Sequence, residues 1–273
     1  MTKTTLVIKA GQANKRYWAD IWRYRELLYF LAWRDILVRY KQTVIGLLWA
    51  LMRPFITMVI FTVVFGKIAQ LPSDNAPYPI LVFAAMLPWQ FFSSALMDCS
   101  NSLINDASLI SKIYFPRLIV PASSVVVNFV DFVVSGMILL GLMAWYNFVP
   151  SWRILTLPLF IAIAIALTLG AGLWFSALNV QFRDFRYIVP FLVQFGLYVS
   201  PVGFSSSVIP QKWFLLYSLN PMVGVIDGFR WAIIGETTLY WPGFALSLVL
   251  VSLICISGIW FFRKTERRFA DVI

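Results

Sequence analysis

Histidine is absent from the 273 residues. That excludes imidazole acid–base chemistry and His-ligated metals. Only two cysteines occur, Cys99 and Cys255, too few for a disulfide framework or a thiolate metal cluster. Charge is scarce as well: Asp, Glu, Lys and Arg make up 12% of the chain, about half the roughly 25% of soluble domains. No G-x-x-x-x-G-K-[ST] run is present, since Gly66-Lys67 lacks both the upstream glycine and the following hydroxyl. The sequence therefore carries no phosphate-cradling loop of its own. Gly-x-Ser-x-Gly, paired aspartates and acidic metal clusters are missing too, and an integral membrane enzyme needs some such constellation. Residues 1–20 hold no continuous apolar run, so no cleavable signal peptide is expected and the first span doubles as the insertion signal.

What is abundant is apolar. The hydrophobic share is 60%, against roughly 45–50% in soluble domains, and the mean hydropathy is +0.80. A soluble enzyme, a disordered chain and a nucleic-acid-binding module are all excluded. An all-α, polytopic membrane protein remains. Six spans are expected, at about 46–66, 79–97, 118–145, 154–178, 188–204 and 242–262. At ~1.5 Å per residue, a span of about 20 residues covers a hydrocarbon core of ~30 Å. Trp and Tyr gather near the ends of these spans, at Tyr78, Trp145, Tyr146, Trp152, Tyr187, Tyr240, Trp241 and Trp260, as an aromatic belt requires.

The net charge of +10 is a topology signal. With the N-terminus inside, seventeen Lys and Arg fall on the cytoplasmic side and four outside, while Arg53 lies within the first span. The positive-inside rule then places both termini in the cytoplasm. The chain divides into a tail and interfacial helix (1–45), a six-span domain (46–262) and a cytoplasmic tail (263–273).

Residues 1–15 read as a loose polar tail. Over 16–42, Trp18, Trp22, Tyr29, Trp33, Ile36 and Tyr40 recur at steps of three, four and seven. They share a helical face, with Arg16, Asp20, Arg23, Arg34 and Lys41 mainly on another. Such a basic amphipathic helix lies in the headgroup layer. The cytoplasmic stretch 98–116 reads as polar, then amphipathic, then stopped by Pro116. Asn105 and Asp106 form a helix cap there, followed by the ridge Leu109, Ile110, Ile113, Tyr114 and Phe115. An exposed ridge of this kind calls for a partner surface, and Arg183 and Asp184 in the next inner loop form a second contact. On the outer side, 205–240 is long and rich in short apolar pieces. Two re-entrant or outer-face helices carrying Trp213, Asn220, Pro221, Arg230 and Trp231 are expected at the mouth of a pathway.

Tyr187, Phe191, Phe195 and Tyr198 are spaced four, four and three along the fifth span, with Gln194 beside them. They form either a lipid-facing or core stripe or a track on which sugar rings stack. Trp49, Arg53, Thr57 and Phe61 repeat the pattern on the first span. Arg53 and Asp131 are ionisable groups within spans. Each costs on the order of 2.5–3.5 kcal/mol at the bilayer centre, and each is either a pathway charge or a structural one.

Several segments, in order and nearly end to end, resemble the membrane subunit of polysaccharide-exporting ABC transporters of the second exporter class. O-antigen export permeases are the nearest type, with capsule and teichoic-acid permeases as relatives. The matching segments are Trp33-Arg34-Asp35 through Arg39-Tyr40, Gly46-Leu47-Leu48-Trp49-Ala50 and Pro54. Leu178-Asn179-Val180 through Phe182-Arg183-Asp184, Ser200-Pro201-Val202 and Asn220-Pro221-Met222 follow. Asp227-Gly228-Phe229-Arg230-Trp231 and the ending Glu266 to Ile273 complete the set. The resemblance implies a homodimer bound to two copies of a separate ATPase subunit, which binds ATP and Mg while this chain holds no cofactor. It also implies an interfacial helix, a coupling helix, outer gate helices and a channel at the dimer interface for a lipid-linked polysaccharide in the bacterial inner membrane. Two alternatives stay open: a same-fold exporter of drugs or lipids, and an ATPase-independent membrane enzyme or scramblase.

Overall fold

A computed structural model describes residues 17–41, 44–235, 238–266 and 269, with backbone alone over 44–50. Among these residues all regular structure is helical. In chain order the helices are α1 (Tyr17–Arg23), α2 (Arg25–Lys41), α3 (Val44–Phe61), α4 (Tyr78–Asn105), α5 (Ala107–Lys112) and α6 (Ile119–Trp145). Then come α7 (Leu157–Gln181), α8 (Phe185–Val199), α9 (Gln211–Tyr217), α10 (Pro221–Ile234) and α11 (Trp241–Thr265). Five stretches are long and apolar enough to cross a membrane: Leu51–Ile68, Tyr78–Asn105, Ile119–Trp145, Trp152–Gln181 and Trp241–Thr265.

Proline and asparagine set the starts. α4, α7, α10 and α11 each carry Pro at the first or second position, where a missing N–H costs nothing. α10 is also capped by Asn220, whose Oδ1 accepts from the Met222 N–H at 3.0 Å. It ends at Gly235, which sits at φ 79°, a left-handed helix end that glycine tolerates.

α4 is the central post. Its residues from Ile80 to Trp89 are all buried, and it packs against α6, α7 and α10. α7 lies against α11 through small residues: a side chain at Gly170 would strike the Cys255 backbone, and one at Gly258 would strike the Gly170 carbonyl. Close backbone approach of this type holds membrane helices together where no hydrophobic force acts between them.

Two element boundaries depart from expectation. The second span does not stop at Met97, because α4 continues to Asn105. The polar run there bonds back to its own helix. Ser100 Oγ and Asn101 Nδ2 donate to the Met97 carbonyl at 2.8 and 2.9 Å, and Ser102 Oγ donates to the Cys99 carbonyl at 2.8 Å. The helix therefore survives where apolar character ends. The expected fifth span, 188–204, is the 15-residue α8, about 22 Å long. Pro201 holds the preceding Ser200 extended, at ψ 151°, and the helix ends before it. The first span also ends in a seven-residue π-helical stretch, Thr62–Ile68.

The two ends of the bundle differ. One gathers α1, α2, α5 and the end of α11 into a second apolar core containing Tyr17, Leu31, Leu103, Ile110, Phe115, Phe262 and Phe269. At the other end lie the loops 69–77 and 200–210 with α9 and α10.

Candidate functional site

α1 and α2 form two helices broken at Tyr24 instead of the single helix expected over 16–42. Trp18, Trp22, Tyr29, Phe30 and Trp33 are exposed, with the Tyr29 and Trp33 rings stacked at 6.2 Å. Leu31 and Ala32 face the bundle. Exposed rings of this kind are what an interfacial helix would present to a headgroup layer. Tyr40 departs from this set: its hydroxyl donates to Asp131 on α6. The tail 1–16 lies outside the described residues.

Asp131 is thereby explained. Arg39 of α2 bridges it to Asp98 of α4, donating to the latter at 2.8 Å. Asn128 Nδ2 also donates to Asp98, at 2.8 Å. A carboxylate in an apolar helix is tolerated when a cation and hydroxyl meet it, so Asp131 acts as a structural tie between α2 and α6. Asp98, Asn128, Asp131 and Arg53 share a cavity of about 330 Å³. Sequence reasoning missed Asp98 and Asn128 as its members. Asn128 stands three residues before Asp131, one turn away on the same face, and that pairing was the available signal.

The α8 stripe is open. Tyr187, Phe191, Phe195 and Tyr198 are 78, 66, 59 and 68% exposed, and Gln194 shares the open side. The Phe191 and Phe195 rings stack at 6.4 Å. The opposite side of α8 packs on the bundle through Val189 and through Gly196, which lies against Trp89. The first-span set does not join this stripe. Arg53 opens into the Asp131 cavity, Thr57 Oγ1 donates to the Arg53 carbonyl at 2.9 Å, and Phe61 is partly buried beside Gly203. The side chain of Trp49 lies outside the described residues.

The ridge on 98–116 is divided. Ile110 and Phe115 are buried in the second core and Leu109 packs against it, while Ile113 and Tyr114 are 55 and 57% exposed. Asn105 is exposed at the end of α4. Asp106 precedes α5 but caps nothing with its side chain; its carboxylate accepts from Arg34 at 3.1 Å. An ion pair to α2 has taken the oxygen that a cap would use. Arg183 and Asp184 are exposed. Neighbouring Asn179, fully buried, donates to the Ser100 carbonyl at 2.9 Å and to Asn101 at 3.1 Å. That bond brings the 179–186 loop to the α5 end of the bundle.

The residues expected at the outer gate separate into packing and surface. Trp213 on α9 is exposed, with the Lys212 ammonium 5.7 Å from its ring centroid. Asn220 and Pro221 start α10, and Asn220 Nδ2 also donates to Ser200 Oγ at 2.9 Å. Trp231 is partly buried against Phe160 and Trp241, with Arg153 5.0 Å from its ring centroid. Arg230 is 2% exposed. It donates to the carbonyls of Leu81, Phe204 and Val202 at 3.2, 2.8 and 3.1 Å, pinning the segment after α8 to α4.

The sequence matches the ABC-2 type transporter family over residues 26–234. The chain belongs to that family. It is accordingly a multi-pass membrane permease subunit, a transport component without a catalytic domain, and permeases of this family pair with ATP-binding subunits. The chain is 29% identical over 258 residues to the O-antigen export system permease protein RfbA of Myxococcus xanthus, covering 93% of this chain and 98% of that one. Its identity to the protein of the same name from Klebsiella pneumoniae is 27% over 259 residues, covering 91% and 95%. The polysialic acid transport protein KpsM of Escherichia coli is 24% identical over 205 residues, covering 73% and 78%.

Proposed function

We propose that this ABC-2 permease exports a lipid-linked polysaccharide of O-antigen type across the bacterial inner membrane. It works as a homodimer of six-span subunits, α8 serving as the fifth span, with both termini cytoplasmic. Two copies of a separate ATPase bind ATP and Mg. Ile113, Tyr114, Arg183 and Asp184 meet the ATPase, while α9 and α10 flank the outer mouth.

The observation that carries the substrate class is the open α8 face. Four aromatic rings and a glutamine amide run along one side of a helix. Rings offer flat apolar surfaces to the faces of pyranoses, and Tyr187, Gln194 and Tyr198 offer hydrogen bonds to their hydroxyls. An unpaired hydroxyl costs ~2–7 kcal/mol to bury, so a polymer with many hydroxyls needs such a path. Near-full-length similarity to O-antigen permeases supports the same reading.

The test is surface glycan display in cells lacking this gene, with and without a plasmid copy, alongside drug efflux. Loss and restoration of the glycan with unchanged drug sensitivity are expected. Normal glycan display without the chain refutes the reading.

A further inference from the structure

The end of the bundle opposite α5 holds a recessed polar cavity of about 340 Å³, at the small end of the ~300–1,000 Å³ range of ligand sites. Three separate segments bring its carboxylates and serines. Asp74 comes from the loop before α4, the three consecutive serines 205–207 follow α8, and Asp227 lies on α10. Ser205 Oγ donates to Asp74 Oδ2 at 2.5 Å, and Ser207 Oγ gives its one proton either to Ser205 Oγ at 2.9 Å or to Asp74 Oδ1 at 3.3 Å. Ser206 Oγ donates to Asp227 Oδ1 at 2.7 Å. Each serine thus gives its one proton to a neighbour, so the serine and carboxylate oxygens left over are acceptors.

Arg230 also lines the cavity, but its hydrogen bonds go to three backbone carbonyls, and among the described residues no carboxylate lies within ion-pair distance of it. Two carboxylates against one guanidinium leave the lining short of positive charge, which disfavours phosphate and uronate. Phe214 and Tyr240 supply an aromatic wall, their ring centroids 4.9 Å apart. Tyr217 lies close enough to feel both Asp227 and Arg230, and its buried hydroxyl has no hydrogen-bond partner among the described residues. Acceptor oxygens together with aromatic rings in one lining suit a molecule with many O–H donors, an apolar face and no charge.

We infer that this cavity is a subsite for one neutral sugar ring of the exported glycan, with Asp227 and Asp74 accepting from its hydroxyls and Tyr240 lying against its apolar face. The inference rests on the export reading above.

The full-length chain in lipid nanodiscs would be probed by saturation-transfer NMR with methyl glycosides of neutral hexoses and with glucuronic acid, and by displacement of a bound glycoside with inorganic phosphate. At least one neutral glycoside should bind, and glucuronic acid and phosphate should not. Asp227→Asn and Tyr240→Ala should each weaken binding by about fivefold or more, the scale of one lost hydrogen bond or contact. Tyr240→Ala removes no charge, so it carries the test alone if Asp227→Asn does not fold. The same variants should slow glycan export in cells. Three results overturn the subsite: no neutral glycoside binds, glucuronic acid binds equally, or both variants bind as wild type does. Lost binding with undiminished export shows a site for free sugar and overturns it as well. Failure of the export reading is recognised separately, by normal glycan display in cells lacking the chain.

Discussion

Replacing Arg230 with methionine should destabilise the protein strongly, although the volume is nearly kept. The guanidinium donates to three carbonyls. Leu81 lies within α4, where its carbonyl has a helical partner in the N–H four residues on, so its loss is small. Val202 and Phe204 lie in the irregular segment between α8 and α9. Their carbonyls accept no backbone hydrogen bond there, so both are orphaned. A buried orphan costs about 1–3 kcal/mol; Val202 is buried and Phe204 half-buried, so the loss is at least about 1–3 kcal/mol. Exchanging a buried charge for a packed hydrophobe is sometimes neutral, but only where the partner groups go too. Here they stay. At about 2–4 °C per kcal/mol for chains of this order of size, the melting temperature in nanodiscs should fall by at least about 2–4 °C. Arg230→Lys, with one ammonium able to reach a subset of the carbonyls, should fall between. A methionine variant melting within about 2 °C of wild type would refute the argument that these carbonyls depend on Arg230.

Replacing Ile113 and Tyr114 together with Asp should release the ATPase on co-purification, since a short contact relies on a few anchors worth ~2 kcal/mol or more each; retention of the partner with normal export would reduce 107–115 to a turn. The Arg183→Ala effect should be smaller, near the 0–1 kcal/mol of roughly typical exposed ion pairs. Tyr187→Ala with Phe195→Ala should impair export while dimer assembly, read by cross-linking, persists; normal export would assign the α8 stripe to lipid. Glu266 follows the last span, and burial raises its carboxyl above the usual 4.5 despite the Arg117 N–H it accepts. Its charged form is disfavoured in the fold, so the stability that this one group contributes is fullest below pH 4.5 and declines as pH rises through the raised value. Glu266→Gln should flatten that decline in a pH series of melting curves, and an unchanged series would count against it.

The spans were legible because apolar length is set by the bilayer, and α3, α4, α6, α7 and α11 lie where the apolar runs do. What composition could not supply was the partner of each polar group. Polarity at Ser100–Asn105 reads as a loop, yet those side chains bond their own helix and Asn179. Asp106 reads as a cap until Arg34 is seen to bind it. The ridge Leu109 to Phe115 was visible as a pattern, but whether Ile110 or Ile113 turns inward depends on where α1 and the end of α11 pack. Arg230 read as a gate cation because no local feature announces three carbonyls brought from α4 and the 200–204 turn.

The α8 face bears most directly on the proposed second copy. A stripe of aromatic rings alone would serve in lipid, so exposure does not distinguish a lipid face from a path. Gln194 does. It stands midway along the stripe, exposed between Phe191 and Tyr198, and an amide facing hydrocarbon would leave two donors and an acceptor unmet, at several kcal/mol. The open side of one protomer provides no cover for it. In the proposed homodimer, a second α8 across a two-fold axis would place the same rings and amide opposite, the self-complementary arrangement of cyclic dimers. The stripe then lines an interior that water and sugar hydroxyls can wet. A cysteine scan on a background lacking Cys99 and Cys255 checks this. Positions 187, 191, 194, 195 and 198 should label from water in the dimer, while Val189, buried against the bundle, should not. Labelling of the stripe only by reagents dissolved in the bilayer would put α8 against lipid and remove the structural case for a path between protomers.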